Sequence, residues 1–210
     1  PEATLRTTTV QLLDAVARHG IVNPALVVPA AVAALADPAQ PATRDLAARL
    51  LAHLRQKFPG ALTPSRLADG VRQGFQLQRA LWHRAAPVVW GARTPNVRPL
   101  FAPLYPPPTA PRATRFAVIA ALLAPFRFLD DADTTAAITA ATATTATDDD
   151  DDDDGAMMEH LVFASEVVAF LPFVLAEDVA ETVRTVDALV LVRGGGALET
   201  AKQDLRRGAG

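Results

Sequence analysis

Four histidines, His19, His53, His83 and His160, are the imidazoles available for acid–base or metal chemistry. They are scattered, and none has carboxylate partners at metal-ligand spacing, so each reads as a surface or helix-end residue. There is no cysteine, which removes thiol nucleophiles, disulfide frameworks and Cys-ligated zinc. Ser65 and Ser165 lack the strand–turn–helix setting of a nucleophile elbow. Gly194, Gly195 and Gly196 follow a helical pattern rather than a strand, so they stop a helix and do not cradle phosphate. Seven consecutive aspartates, 148–154, can gather divalent cations loosely but lack spaced, rigid ligands. The residues therefore predict no catalytic set, no metal site and no cofactor.

Spacing does carry an electrostatic signal. Arg72, Gln76, Arg79 and His83 follow i, i+4, i+7, i+11 and share one helical stripe, opposite Leu67, Val71, Phe75 and Leu81. Such a row can track a phosphate backbone, and Lys57 joins Arg72, Gln76 and Arg79 as a candidate contact. An ordinary solvated helix face reads the same way. The charge distribution is uneven. The chain of 210 residues carries −3 formally. Residues 1–129 hold 15 bases and five acids, residues 130–154 ten aspartates and no base, and residues 155–210 five bases and eight acids. A basic body is thus joined to an acidic tract and a mildly acidic end.

The elements that position these residues read as helices throughout. Half of the residues are apolar and only 6% aromatic; much of the apolar half is alanine, which favours close helix packing over a β-sandwich. No apolar run reaches the roughly 18 residues of a membrane span, and no secretory start is visible. A first helix is expected over Thr7–Arg18, with Val10, Leu13, Val16 and Ala17 on one face and Gly20 as its left-handed stop. Asn23 and Pro24 form a cap-plus-proline start for a helix to Ala36, kinked or divided at Pro29. Further helices are expected over Pro41–Phe58, with Leu46, Leu50, Leu51, Leu54 and Phe58 as the apolar stripe, and from Pro64 to Arg84. Residues 85–111 are proline-rich, with a short helix near Arg98–Tyr105 and an extended polyproline segment at Pro106–Pro108. A helix over Arg112–Leu129 follows, with Phe116, Ile119, Leu122, Leu123 and Phe126 on its buried side. Residues 130–155 read as a low-complexity acidic disordered insertion. Met157–Phe170, ended by Pro172, and Glu177–Val192 complete the set. Val179, Val183, Val186 and Val190 stripe the last helix, and Glu177, Asp178 and Glu181 suit its N-terminal dipole.

Pro24 and Pro64 lie 40 residues apart, the period of a HEAT-type helical hairpin. The stretch ALADPAQPATRDLAARLLAHL (34–54) resembles the HEAT consensus at the turn between its two helices. There Asp37 and Pro38 close the turn, and Arg44 can reach the Asp of a stacked neighbour. The expectation is an all-α, HEAT-like helical hairpin solenoid, right-handed and superhelical. It comprises basic hairpins over 1–129, the acidic disordered insertion over 130–155, a final hairpin over 156–198 and a tail over 199–210. Pro1 in place of Met, and hairpins that need neighbours on both sides, point to a section of a longer solenoid.

A family resemblance then emerges from four ordered segments. RHGIVNPALVVPAAVAALADPAQPATRDLAARLLAHLRQKFPG (18–60) resembles the C-terminal HEAT region of the sister chromatid cohesion family, the Nipped-B-type cohesin loaders or adherins. Gly20, Val22, Asn23, Pro24, Val28, Pro29, Pro38, Arg44 and Lys57 occupy the pattern's positions. DGVRQGFQLQRAL (69–81), with Phe75, Gln76 and Gln78, is similar to the family's next helix, and RATRFAVIAALLAPF (112–126) to its Arg-then-apolar helix. HLVFASEVVAFLPFVLAEDVAETVRTVDALVLVRGGGAL (160–198), with Pro172 and Asp187, resembles its last two helices.

The resemblance implies a nuclear, chromatin-associated scaffold that is not itself an enzyme. It would contact DNA and the cohesin complex, at the SMC heads and the kleisin, load cohesin onto chromatin for sister chromatid cohesion, and stimulate cohesin's own ATPase. The segment that binds the loader's partner subunit is not represented in the chain. The alternative class is another HEAT scaffold, karyopherin-like or coat-adaptor-like, that binds peptides.

Overall fold

Asn23 starts a helix as its side chain requires: its Oδ1 accepts a hydrogen bond from the Ala25 amide at 3.0 Å, and Pro24 takes the first helical position, where no amide donor is needed. The structure is a computed structural model that describes residues 3–82, 100, 103–127 and 152–191. Among them are seven helices of eleven residues or more, and no strand. We label them α1 (Ala3–Arg18), α2 (Pro24–Leu35), α3 (Pro41–Lys57), α4 (Pro64–Trp82), α5 (Arg112–Leu122), α6 (Asp152–Ala169) and α7 (176–191). Short 3-10 turns cover Pro59–Ala61 and Ala124–Arg127.

Helix ends follow local chemistry. Gly20 has a φ of +67°, and the amides of Gly20 and Ile21 bond back to the carbonyls of Ala17 and Val16, a Schellman closure. The α2 helix passes through Pro29 as one helix, so the expected division into two pieces does not occur. Only one backbone bond is forfeited there, and burial of Val27, Val28, Val32 and Leu35 holds the helix together. The Arg112 helix ends at Leu122 instead of Leu129, because Pro125 has no amide to donate and the chain tightens into a 3-10 turn closed by Phe126 to Leu123. Pro106–Pro108 is not a simple extended segment. The Ala110 amide bonds to the Pro107 carbonyl at 2.8 Å, a β-turn with Pro108 at its favoured second position.

The helices pack around one apolar cluster. Each touches near neighbours in the chain: α1 packs on α2 and α3, α2 on α3 and α4, α4 on α5 and α6, and α5 on α6. Alternate helices, α1–α3 and α2–α4, touch as well as consecutive ones. The α2–α4 crossing is close because α4 offers Gly70 and Gly74 to the Ala- and Val-rich face of α2. A β-carbon on Gly70 would stand 2.5 Å from Val32 Cβ, and one on Gly74 3.0 Å from Ala36 Cβ. Gln78, one helical turn further, is fully buried and donates from Nε2 to the Ala36 carbonyl at 2.7 Å, satisfying an orphan group at the end of α2.

The turn after α2 carries a second polar lock. Asp37 is fully buried. Its Oδ1 accepts from the amides of Ala39 and Gln40, and its Oδ2 accepts from Arg6 of α1 at 2.6 Å. Arg44 does not reach a neighbour's carboxylate as expected; it donates to Asp37's own backbone carbonyl at 2.8 Å. The carboxylate is taken by Arg6, whose side chain is nearly buried against it.

Two apolar expectations are corrected. Phe58 sits beyond the end of α3 and is exposed, because its backbone leaves the helical region (φ −136°, ψ 60°) and no longer continues the Leu54 face. The Val179, Val183, Val186 and Val190 stripe of α7 is exposed, between 37% and 62%. The helix instead turns Asp178 inward, and a buried aspartate with a partner outweighs a row of valines in setting its orientation. The low-complexity stretch lies outside the described residues up to Asp151; from Asp152 the chain is helical. The tail 199–210 also lies outside them, as do residues 98, 99, 101 and 102 of the short helix expected near Arg98–Tyr105, of which Leu100, Pro103 and Leu104 are helical.

Candidate functional site

The α4 helix positions the row singled out by spacing. Arg72 and Gln76 are exposed, and Arg79 is one-third exposed, while Leu67, Val71 and Phe75 of the same helix are buried. His83 lies outside the described residues. Two of the three placed residues are already paired: Arg72 with Asp69, 3.3 Å away on the same helix, and Arg79 with Glu159 of α6 at 3.6 Å. Lys57 is exposed at the last position of α3. The row is therefore a real surface feature whose positive charges share the face with carboxylates.

Most family-motif residues turn out to be architectural. Gly20, Asn23 and Pro24 set the α1–α2 connection, Pro38 and Arg44 the turn after α2, and Phe75 and Gln78 the buried side of α4. Pro29 lies half-buried within α2. Pro172 follows the end of α6 and is exposed, as is Asp187 on α7.

A buried charge cluster was missed by sequence reasoning. Arg115 of α5, 4% exposed at its side chain, donates from Nε to both Asp178 oxygens at 3.0 Å. Its other nitrogens hold Glu177 and the carbonyls of Pro108 and Ala110. The Tyr105 hydroxyl donates to Asp178 as well, and Tyr105 stands edge-on to Phe173 at 5.3 Å. The hydrogen bond that Arg115 donates to Asp178 raises the Arg115 pKa further, and burial pushes the Tyr105 phenol well above its ordinary range. The cluster thus stays charged on Arg115 and protonated on Tyr105, and it ties the proline-rich turn, α5 and α7 into one unit. The sequence held a clue: Arg115 falls at i−3, i−4 and i−7 from Val118, Ile119 and Leu122, inside the apolar stripe. A guanidinium there needs a buried partner.

Elsewhere, Arg55 donates to the Pro103 carbonyl, and burial lowers its pKa. His160 of α6 packs on the Phe75 ring at 5.1 Å. Burial, then the charge of Arg72, holds its imidazole below the ordinary histidine range. Among the described residues no group of three or more His, Asp or Glu side chains is placed to hold a metal ion. No described helix is long and apolar enough to cross a membrane.

The described residues are thus an all-helical protein with buried polar locks and a charged outer row. The chain belongs to the family described as Sister chromatid cohesion C-terminus, whose pattern matches residues 1–189. That span takes in the segments 18–60, 69–81 and 112–126 whole and most of 160–198, and it gives the chain a role in sister chromatid cohesion. No curated protein and no solved structure matches the chain significantly.

Proposed function

We propose that the chain is a non-catalytic, HEAT-type scaffold in the loading of cohesin onto chromatin. It acts in the nucleus, contacts DNA together with the SMC heads and kleisin of cohesin, and so stimulates cohesin's ATPase. The observation that carries this reading is the family match across residues 1–189. The packing of alternate helices, α1 on α3 and α2 on α4, and the Asp37–Pro38 turn locked by Arg44 support HEAT-type stacking.

DNA contact is assigned to Lys57, Arg72, Gln76 and Arg79. The Arg72–Asp69 pair is half exposed on both sides, and such pairs contribute little. A phosphate, which accepts strongly from guanidinium, can therefore compete for Arg72. The test is binding of linear duplex DNA across a salt series. Arg72→Glu/Arg79→Glu is expected to weaken binding and to reduce the salt slope by about two, one for each phosphate that an arginine no longer neutralises. Unchanged affinity and slope would reduce the row to a solvated helix face.

A further inference from the structure

A threonine just ahead of a helix ordinarily caps it, its hydroxyl accepting from an amide of the first turn. Asn23 does this for α2. Thr63, which precedes Pro64 and α4, does not. Its Oγ1 meets the Ser65 Oγ at 3.2 Å on the exposed side of the turn, and the Leu67 amide bonds to the Thr63 backbone carbonyl at 3.1 Å. The Thr63 hydroxyl is thus left in a solvent-facing pair. It also opens the run Thr63, Pro64, Ser65, Arg66. Proline-directed protein kinases take a threonine followed by proline, which has no amide to satisfy at the next position. One class of them also asks for a base at the third position, where it pairs with a phosphate on the kinase's own activation loop. The other Thr-Pro pair of the chain, Thr94–Pro95, has Val97 at that position, and there is no Ser-Pro pair. Access is local. Pro59 and Gly60 are exposed, and a β-carbon on Gly60 would meet nothing within 4 Å. Pro64, Ser65 and Arg66 form the first turn of α4, whose amides have no partner within the helix. Opening it gives up the Leu67–Thr63 bond and the bond from Arg66 to the Ala61 carbonyl at 3.1 Å, while Val71 and Phe75 stay buried. Helix ends with few buried contacts open at low cost.

We propose that Thr63 is a phosphorylation site for a proline-directed protein kinase that reads Arg66. The Thr63 Oγ1 attacks the γ-phosphorus of ATP. The bond from that phosphorus to the β,γ-bridging oxygen breaks, ADP leaves with its electron pair, and the hydroxyl proton passes to the kinase's catalytic base. The product carries roughly −1.5 to −2 charge at the head of α4. There the amides of Ser65 and Arg66 and the helix dipole favour an anion, and the Arg66 guanidinium can exchange the Ala61 carbonyl for a charge-assisted bond to phosphate. Modification therefore tightens the corner between α3 and α4.

The test incubates the folded full chain with ATP and a purified kinase of that class, and reads the product by intact mass and fragment mapping. Phosphate is expected on Thr63. Thr63→Ser should still be labelled there, and Thr63→Ala should lose that label. Arg66→Ala should be labelled far more slowly although its Thr-Pro pair is intact. Two readouts need no variant. On phosphorylation the Arg66 amide signal should move in the NMR spectrum, and the thermal midpoint should rise. The rise should shrink below about pH 6, where the phosphate gives up its second charge. Each of the following would overturn the proposal: no phosphate on Thr63, phosphate on Thr94 in its place, labelling that requires the chain to be unfolded first, an unchanged rate in Arg66→Ala, an unmoved Arg66 amide signal, or a lowered thermal midpoint.

Discussion

Gly70→Ala probes the crossing on which the fold turns. In an isolated helix the change is favourable by about 1 kcal/mol, because Ala restricts the unfolded chain and Gly does not. Here the new methyl would stand 2.5 Å from Val32 Cβ, 2.7 Å from Val32 Cγ1 and 3.0 Å from the Pro29 carbonyl oxygen. Carbon pairs pack best at about 3.5–4.0 Å, so the overlap is about 1 Å. Rotating Val32 moves Cγ1 but not Cβ, which is fixed to the backbone, so α2 and α4 must separate. Overpacking of this kind costs about 1–3 kcal/mol, occasionally more, and the small gain from helix propensity offsets only part of it. We predict a net loss of about 1–2 kcal/mol, read as a lower urea midpoint by far-UV circular dichroism with an unchanged slope. Gly60, with open space around its missing methyl, is the control, and Gly60→Ala should be neutral or slightly stabilising. Val32→Gly combined with Gly70→Ala should be less unstable than the sum of the two single changes, by about 0.5 kcal/mol or more. A stabilised Gly70→Ala, or strict additivity with Val32→Gly, would refute a helix crossing this close.

Other perturbations test other joints. Gly20→Ala meets no atom within 4 Å but must hold a φ of +67°, so it should destabilise by about 1 kcal/mol in urea unfolding, and Gly20→Asn by less. Asp178→Ala should lower the thermal midpoint far more than Glu177→Ala, because Asp178 is fully buried on Arg115 whereas Glu177 is 41% exposed. Joint replacement by Arg115→Met and Asp178→Leu should recover part of that loss. His160 supplies a pH dependence. Its folded pKa lies below the ordinary value, so the unfolded chain takes up the proton first. The stability gained from the neutral ring is full above about pH 6.5 and is lost as the pH falls through the folded value. His160→Phe should flatten that part of the stability–pH curve, and an unchanged curve would place the dependence elsewhere.

Much of the scaffold was legible because local chemistry and packing agree. Asn23–Pro24 starts a helix and Gly20 stops one whatever surrounds them, and the stripe Leu50, Leu51, Leu54 is buried as its spacing requires. What escaped was decided between distant segments. Asp37 and Arg44 were legible as a turn, but the carboxylate's partner is Arg6, 31 residues earlier, and no local pattern points to it. Arg115 and Asp178, 63 residues apart, set the roll of α7 and left its valines outside, reversing what periodicity alone favours. Gly70 and Gly74 form the contact surface for α2, a role that helix propensity does not reveal. The charged row was visible in sequence; its pairing with Glu159 depends on how α6 packs against α4.

The central claim is that this chain works on cohesin. Its most direct test is binding to purified cohesin, with immobilised full-length chain and the SMC heads and kleisin in solution. The account predicts saturable binding that survives nuclease treatment and is absent for an unrelated helical-repeat protein of similar charge. No binding to cohesin, with saturable binding to transport-cargo peptides instead, would contradict it.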